Sequence, residues 1–209
     1  MPPKLNRDVI AREGLNQLAE EGIDGLTMRS LAGAVGVQAP TLYWHVKNKR
    51  DLLDAMADVI AADAAERLRG RERDESIEDW LADTARSLQA AMLRYRDGAR
   101  VFVGSFTPSG VPLNEAILDE LCREGYSLEH AARAGLTMLS YVTGSVIEEQ
   151  ARAGLDYPDN PYATEALLDP QRFPLSAKAF DVTFNPDADA GFESGLAIVL
   201  AGIVAVAKS

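Results

Sequence analysis

Apolar residues recur along this chain at close to the 3.6-residue period of a helix, and nowhere alternate long enough to build a sheet. From Asn6 to Glu20 the positions Ile10, Leu15 and Leu18 fall on one face, and Gly22 follows as a stop. Thr27 is a good N-cap for a short helix that carries Leu31 and Val35 and ends at Gly36. Pro40 suits a first helical turn, so a third helix of one or two turns is predicted to about Trp44. Asn48 caps a longer helix through Leu52, Leu53, Met56 and Ile60 to about Arg69.

After the charged stretch 70–74, an amphipathic helix runs from Ser76 to Tyr95 through Ile77, Trp80, Leu81, Leu88 and Met92. Asp97-Gly98 breaks it, a short apolar segment reaches Val103, and Gly104 to Pro112 reads as loop. Helices are predicted over Asn114–Glu124 and, capped by Ser127 with Glu129 in its first turn, to about Ala153. Five prolines between Pro158 and Pro186 punctuate a segment of poor regularity, with a short helix near Thr164–Leu168. The last helix, Ala190–Lys208, is apolar on every side and must be covered on every side. The predicted class is all-α.

Charge divides the 209 residues unevenly. The net charge of −11 argues at first against a nucleic-acid partner, but residues 1–50 hold seven Lys/Arg against five Asp/Glu. Residues 25–50 contain Arg29, Lys47, Lys49 and Arg50 and no acid. An acid-free basic stretch on an acidic body suits an anion-binding face, although chance clustering gives the same count. The single cysteine, Cys122, cannot close a disulfide within the chain, which predicts a reducing, cytoplasmic setting. The longest apolar run, Gly195–Ala207, has 13 residues, too few to cross a bilayer, and the N-terminus lacks the apolar core of a signal peptide.

Residues 28–44 carry the functional signal. Two short helices flank a turn at Gly36, and Leu31, Val35, Val37 and Leu42 can meet across it. That is a helix-turn-helix, whose second helix enters the major groove. Here it presents Gln38, Thr41, Tyr43, Trp44 and His45, which can reach phosphates, base edges or a thymine methyl. Of the aromatic pair, Trp44 is expected in the core and Tyr43 on a phosphate. An enzyme would need a nucleophile with its base, a phosphate loop or clustered metal ligands, and no such spacing occurs; His130 has no partner for zinc. A purely architectural DNA-binding protein would be basic throughout.

The run Pro40-Thr41-Leu42-Tyr43-Trp44-His45-Val46-Lys47-Asn48-Lys49-Arg50, with Gly25-Leu26-Thr27, Leu31-Ala32 and Gly36-Val37, resembles the TetR family. Arg96-Asp97-Gly98-Ala99, Gly125–Leu128, Gly144–Gln150, Phe192 and Gly195-Leu196 extend the resemblance over nearly the whole chain. It implies a homodimeric repressor, released from a palindromic operator by a small molecule. The same resemblance places Thr27, Arg29, Gln38, Pro40, Thr41, Tyr43, His45 and Lys49 at DNA. It also pairs the helix at 127–153 and the last helix with their mates in a four-helix bundle, where Ile203 is expected at the interface. Residues 1–47 form the expected DNA-binding domain and 48–209 the effector-binding and dimerisation domain, with the helix at 48–69 as lever.

The resemblance also implies an effector pocket with Thr84, Leu88, Phe102, Ser105, Ile117 and Glu148. Members that take up magnesium-bound tetracycline ligate the metal through a histidine where this chain has Phe102. Their other polar drug contacts fall on Ala65, Thr84 and Ile117, and a pocket phenylalanine on Leu88. The expected effector is therefore apolar or aromatic and bound without a metal, and no cofactor is expected. Thr84 and Ser105 offer hydroxyls to orient it, while Glu148 either supplies a charged contact or lies on a solvated helix face.

Overall fold

The computed structural model describes residues 5–105, 107–152, 169–183 and 188–206. Among these, ten helices and one 3-10 turn account for the regular structure and no strand occurs. The first three, α1 (Arg7–Gly25), α2 (Met28–Ala34) and α3 (Ala39–Tyr43), form the head. The body comprises α4 (Lys49–Ala65), α5 (Ile77–Leu93), α6 (Gly98–Phe102), α7 (Val111–Arg123), α8 (Leu128–Arg152), α9 (Pro174–Thr183) and α10 (Ala188–Ala205).

Helix starts follow side-chain capping. Asn6 Oδ1 accepts from the Val9 N–H at 2.8 Å, Asn48 Oδ1 from Asp51 at 2.9 Å and Ser76 Oγ from Asp79 at 3.0 Å. Thr27 and Ser30 make a reciprocal capping box around the start of α2. Gly36 ends α2 at φ +72°, with the Val37 N–H reaching back to the Ala32 carbonyl at 2.9 Å. Gly98 opens α6 so close to α5 that a Cβ there would lie 2.1 Å from the Met92 carbonyl oxygen. No other residue fits at that position.

One apolar core runs through head and body. Leu15, Leu18, Leu31, Leu42, Val46, Leu52 and Met56 are fully enclosed, so α4 packs into the head with its first turns and into the body with its last. It ends at Ala65 rather than near Arg69. The Arg69 carbonyl instead accepts from the Trp80 indole at 3.0 Å, which ties the following turn down on α5. Within the expected loop 104–112, Pro108–Gly110 forms a 3-10 turn and α7 starts at Val111, with Pro112 in its first turn. Helix α9 appears inside the proline-punctuated segment because Pro174 occupies its first position, where no amide is needed. The expected helix at 164–168 lies outside the described residues.

The all-round burial expected of the last helix does not hold within one chain. Phe192, Leu196, Leu200 and Ile203 pack inward, whereas Ile198 is 75% exposed. Ile203, expected at the interface, is 6% exposed and belongs to the chain's own core. Its carbonyl lies 2.9 Å from His130 Nε2, and the His130 ring stacks on Tyr126 at 5.0 Å.

Candidate functional site

The helix-turn-helix assembles as a compact pair, with Leu31 and Leu42 buried between the helices and Val35 partly buried against the same core. Arg29, Gln38, Pro40, Thr41 and Tyr43 are exposed together with Thr27, whose hydroxyl is committed to its capping box. Gln38 is the N-cap of α3 but makes no capping hydrogen bond, so its amide remains available. Trp44 corrects the sequence reading. It is 88% exposed where a core position was expected, because α3 ends at Tyr43 and only Leu42 and Val46 turn inward.

The basic residues of this stretch have different fates. Lys49 is half-buried, and its ammonium donates to the Ile23 carbonyl at 2.8 Å, so it faces the end of α1 rather than projecting free. Arg50 donates to the Gly104 carbonyl at 2.7 Å and pairs with Asp54 at 3.1 Å. Among the described residues Arg29 and Lys47 are in no ion pair, which leaves their charge to the surface; Lys47, named in the basic stretch, was not among the residues expected at DNA. His45 is half-buried, and its carbonyl accepts from Arg7 at 3.3 Å. Arg7 also binds Asp51 at 2.6 Å, and that hydrogen bond holds the Asp51 carboxyl below its ordinary value and the guanidinium above its own. These contacts orient the head on α4.

A small apolar cavity lies in the body, bounded by α4, α5, α6, the 3-10 turn, α7 and α8. Thr84, Leu88, Phe102 and Ile117 line it, four of the six residues expected to meet an effector. Ser105 and Glu148 do not: Ser105 donates to the Val101 carbonyl at 3.3 Å, and Glu148 is exposed on α8. Ala61, rather than Ala65, faces the space from α4. Sequence reasoning missed Thr107, Leu113, Asn114 and Met138, which reach the wall through the 3-10 turn, α7 and α8. The Thr84 hydroxyl donates to the Trp80 carbonyl at 2.9 Å and so offers only lone pairs inward. The volume is about 80 Å³, well below the several hundred of an occupied drug-sized pocket.

Asp58 connects this cavity to the lever. Its two carboxylate oxygens accept from the Ser109 amide at 2.7 Å and the Ser109 hydroxyl at 2.9 Å, which fastens the 3-10 turn to α4. On the far side, Gln150 of α8 takes the Ala99 amide at 3.3 Å and donates to the Tyr95 carbonyl at 2.8 Å, bracing the start of α6.

Comparison with known proteins decides the family. Residues 10–56 match the model for bacterial regulatory proteins of the tetR family, and residues 70–207 match the tetracyclin repressor-like C-terminal domain. The chain belongs to the TetR family. It is similar to the class A tetracycline repressor from transposon 1721 of Escherichia coli, at 39% identity over 203 residues covering 96% of this chain and 91% of that one. A possible TetR family transcriptional regulator from Streptomyces coelicolor A3(2) superposes with a TM-score of 0.86 at 34% identity, covering 97% of this chain and 100% of that one. ActR of Streptomyces coelicolor, solved in complex with actinorhodin, gives 0.81 at 29% identity over 99% and 98% of the two chains.

As a TetR family member the protein is a ligand-responsive transcriptional repressor, with operator DNA, a small-molecule effector and a second copy of itself as partners. Its relatives are transcriptional regulators, not enzymes. Among the described residues, no helix is long and apolar enough to cross a membrane. The surface left by α8 and α10 fits self-association: Leu136 and Ile198 are exposed beside Ser140, Gly144, Ala201 and Gly202, small residues that let helices approach closely.

Proposed function

We propose that this TetR family repressor answers to an apolar or aromatic effector, bound without a metal in the cavity walled by Leu88, Phe102 and Ile117. The observation that carries this reading is the chemistry of the wall. Its polar members are Thr84, Thr107 and Asn114, so the wall offers a metal neither a carboxylate nor an imidazole. Phe102 places a ring where a metal-binding member needs an imidazole. ActR shows that a protein of this fold is found with actinorhodin, and the class A relative is named for tetracycline. A cavity of about 80 Å³ must open to admit either kind of molecule.

The head, residues 1–47, reads the operator. Arg29 and Gln38 hydrogen-bond base edges, Thr41 and Pro40 make the close approach, and Tyr43, His45 and Lys47 reach phosphates with Thr27 at the margin; Lys49, just past the head, adds its charge to the phosphates while its ammonium is held on the Ile23 carbonyl. Residues 48–209 hold the effector and the second subunit, and α4 carries the change between them. A cytoplasmic setting, where operator DNA is reached, fits this reading.

The test follows release of a fluorescent operator while anhydrotetracycline is titrated with and without magnesium, beside a planar hydroxyquinone without metal. Metal-independent release by the quinone, weakened in Phe102→Ala with ligand-free operator binding intact, is the expected result. Tight release that requires both tetracycline and magnesium overturns the effector class and leaves a tetracycline sensor of the same fold.

A further inference from the structure

A second groove, of about 440 Å³, opens where head meets body. Arg12 and Asn16 of α1 form one wall, and Arg94, Tyr95 and Arg96, just past the end of α5, form the other. Neither the operator face nor the effector cavity uses any of these side chains. Beneath the groove lies Asp63, 7% exposed, whose Oδ2 accepts from Arg94 Nη1 and the Tyr95 hydroxyl, each at 3.0 Å. Arg12 pairs with Asp8 at 3.1 Å and approaches Asp63 at 3.8 Å. Arg96 Nη1 donates to the Ala19 and Glu20 carbonyls, at 3.3 and 3.4 Å, where α1 breaks before Gly22.

These contacts leave donors unused. Among the described residues, the Nε and Nη2 groups of Arg94 and Arg96 have no acceptor, and Arg96 is in no ion pair. Asp8 and Asp63 are the carboxylates that pair with these guanidinium groups, and Glu13, which accepts from Asn16 at 3.4 Å, borders the groove from α1. A monocarboxylate offers two coplanar oxygens, enough for one arginine fork. A phosphate offers more oxygens and a second charge, and so can engage forks arriving from different elements at once.

We propose that this groove is a binding site for a phosphate-type polyanion, free or carried on a small molecule, held between Arg94 and Arg96 with Arg12 closing from α1. An occupied groove bridges the helix that carries the head's core and the helix that lines the effector cavity.

The experiment titrates inorganic pyrophosphate into the full-length protein by calorimetry at low, fixed ionic strength, with chloride and malonate as controls. Saturable binding is expected for pyrophosphate, with no response to chloride. Malonate should bind at least about tenfold more weakly, and Arg96→Gln should lose about tenfold in pyrophosphate affinity. Arg96→Lys, which keeps the charge and loses the fork, should fall between. Asn16→Asp, at an exposed position of α1, places a carboxylate in the same groove and serves if Arg96→Gln fails to fold; it should weaken binding comparably. Absence of saturable binding, equal affinity for malonate, or unchanged affinity in the folded variants overturns the proposal.

Discussion

Two aspartates placed five residues apart on α10 should have opposite consequences. Ile203 is 6% exposed within a single chain, against α8, whereas Ile198 is 75% exposed there. Replacing Ile203 by Asp forfeits a buried isoleucine, about 1.5–3 kcal/mol, and leaves an unpaired carboxylate in the core, about 3–5 kcal/mol more. The sum, about 4.5–8 kcal/mol, falls in the lower half of the stability of an ordinary domain, about 5–15 kcal/mol, so Ile203→Asp should unfold the protein or leave it marginal. Ile198→Asp costs a lone chain almost nothing. In a two-fold dimer packed through α8 and α10 it occurs twice, and about 3 kcal/mol for each copy makes about 6 kcal/mol per interface. That loss raises the dissociation constant by about 10⁴. Sedimentation velocity at micromolar concentration, paired with circular dichroism melts, separates the cases. Ile198→Asp should be a folded monomer that no longer retains a palindromic operator, and Ile203→Asp should lack a cooperative melt. A dimeric Ile198→Asp would show that the exposed face of α10 is not the interface. A well-folded Ile203→Asp would refute the burial argument itself.

On DNA, Arg29→Ala should cost about 1–3 kcal/mol and relax preference at one base pair, while Lys47→Ala should weaken operator and scrambled duplexes alike and flatten the salt dependence by about one charge. Lys49→Ala should behave like Lys47→Ala and also lower the melting temperature, since its ammonium holds the Ile23 carbonyl; fluorescence anisotropy across a salt series reads all three. Asp51 has its pKa lowered by the Arg7 hydrogen bond, so the stability it contributes is present above its unfolded pKa, about 4, and lost as pH falls through the folded value. Asp51→Asn should therefore destabilise the protein at pH 7, by an amount that shrinks as the pH falls through the folded Asp51 value, which thermal melts across an acid series read; a loss independent of pH would refute the ion pair.

Much of this was legible because helix boundaries and the head are local matters. Thr27, Gly36, Pro40 and Asn48 each fix a turn through their own side chain or backbone, and all sit at the boundaries their chemistry predicts. The face a residue takes is not local in the same way. Trp44 sits one position past α3, and whether it turns in or out depends on how Leu42 and Val46 fill the space, which no window of sequence shows. Ile198 and Ile203 are equally apolar in sequence, and only the packing of α10 on α8 separates them. The cavity shows the same limit. Thr84, Leu88, Phe102 and Ile117 were found by resemblance, but Asn114 and Met138 enter through the relative rotation of α7 and α8. Glu148 took the solvated alternative because α8 turns Val142 and Val146 inward.

The small size of the cavity and the Asp58–Ser109 clamp together constrain how an effector reaches DNA. A ligand shifts an equilibrium only by the difference in its affinity for the two states, and a cavity of about 80 Å³ gives a drug-sized molecule no appreciable affinity for this one. Binding must therefore select a state in which the wall has moved. Most of that wall is α-helix packed on α-helix; the 3-10 turn at 108–110 is its shortest element, and Asp58 bolts it to α4. Displacing the turn drags α4, whose first turn orients the head through Asp51 and Lys49. Removing the hydroxyl in Ser109→Ala deletes one of the two hydrogen bonds to the carboxylate, each worth about 1.5–3 kcal/mol because the acceptor is charged. The turn could then yield to a ligand without moving α4. Ser109→Ala should bind ligand-free operator like wild type and the releasing ligand at least as tightly. The ratio of operator affinities without and with that ligand should fall by about tenfold. Anisotropy on operator gives the ratio, and ligand titration without DNA gives the intrinsic affinity. An unchanged ratio with unchanged ligand affinity would mean that the signal leaves the cavity by another wall.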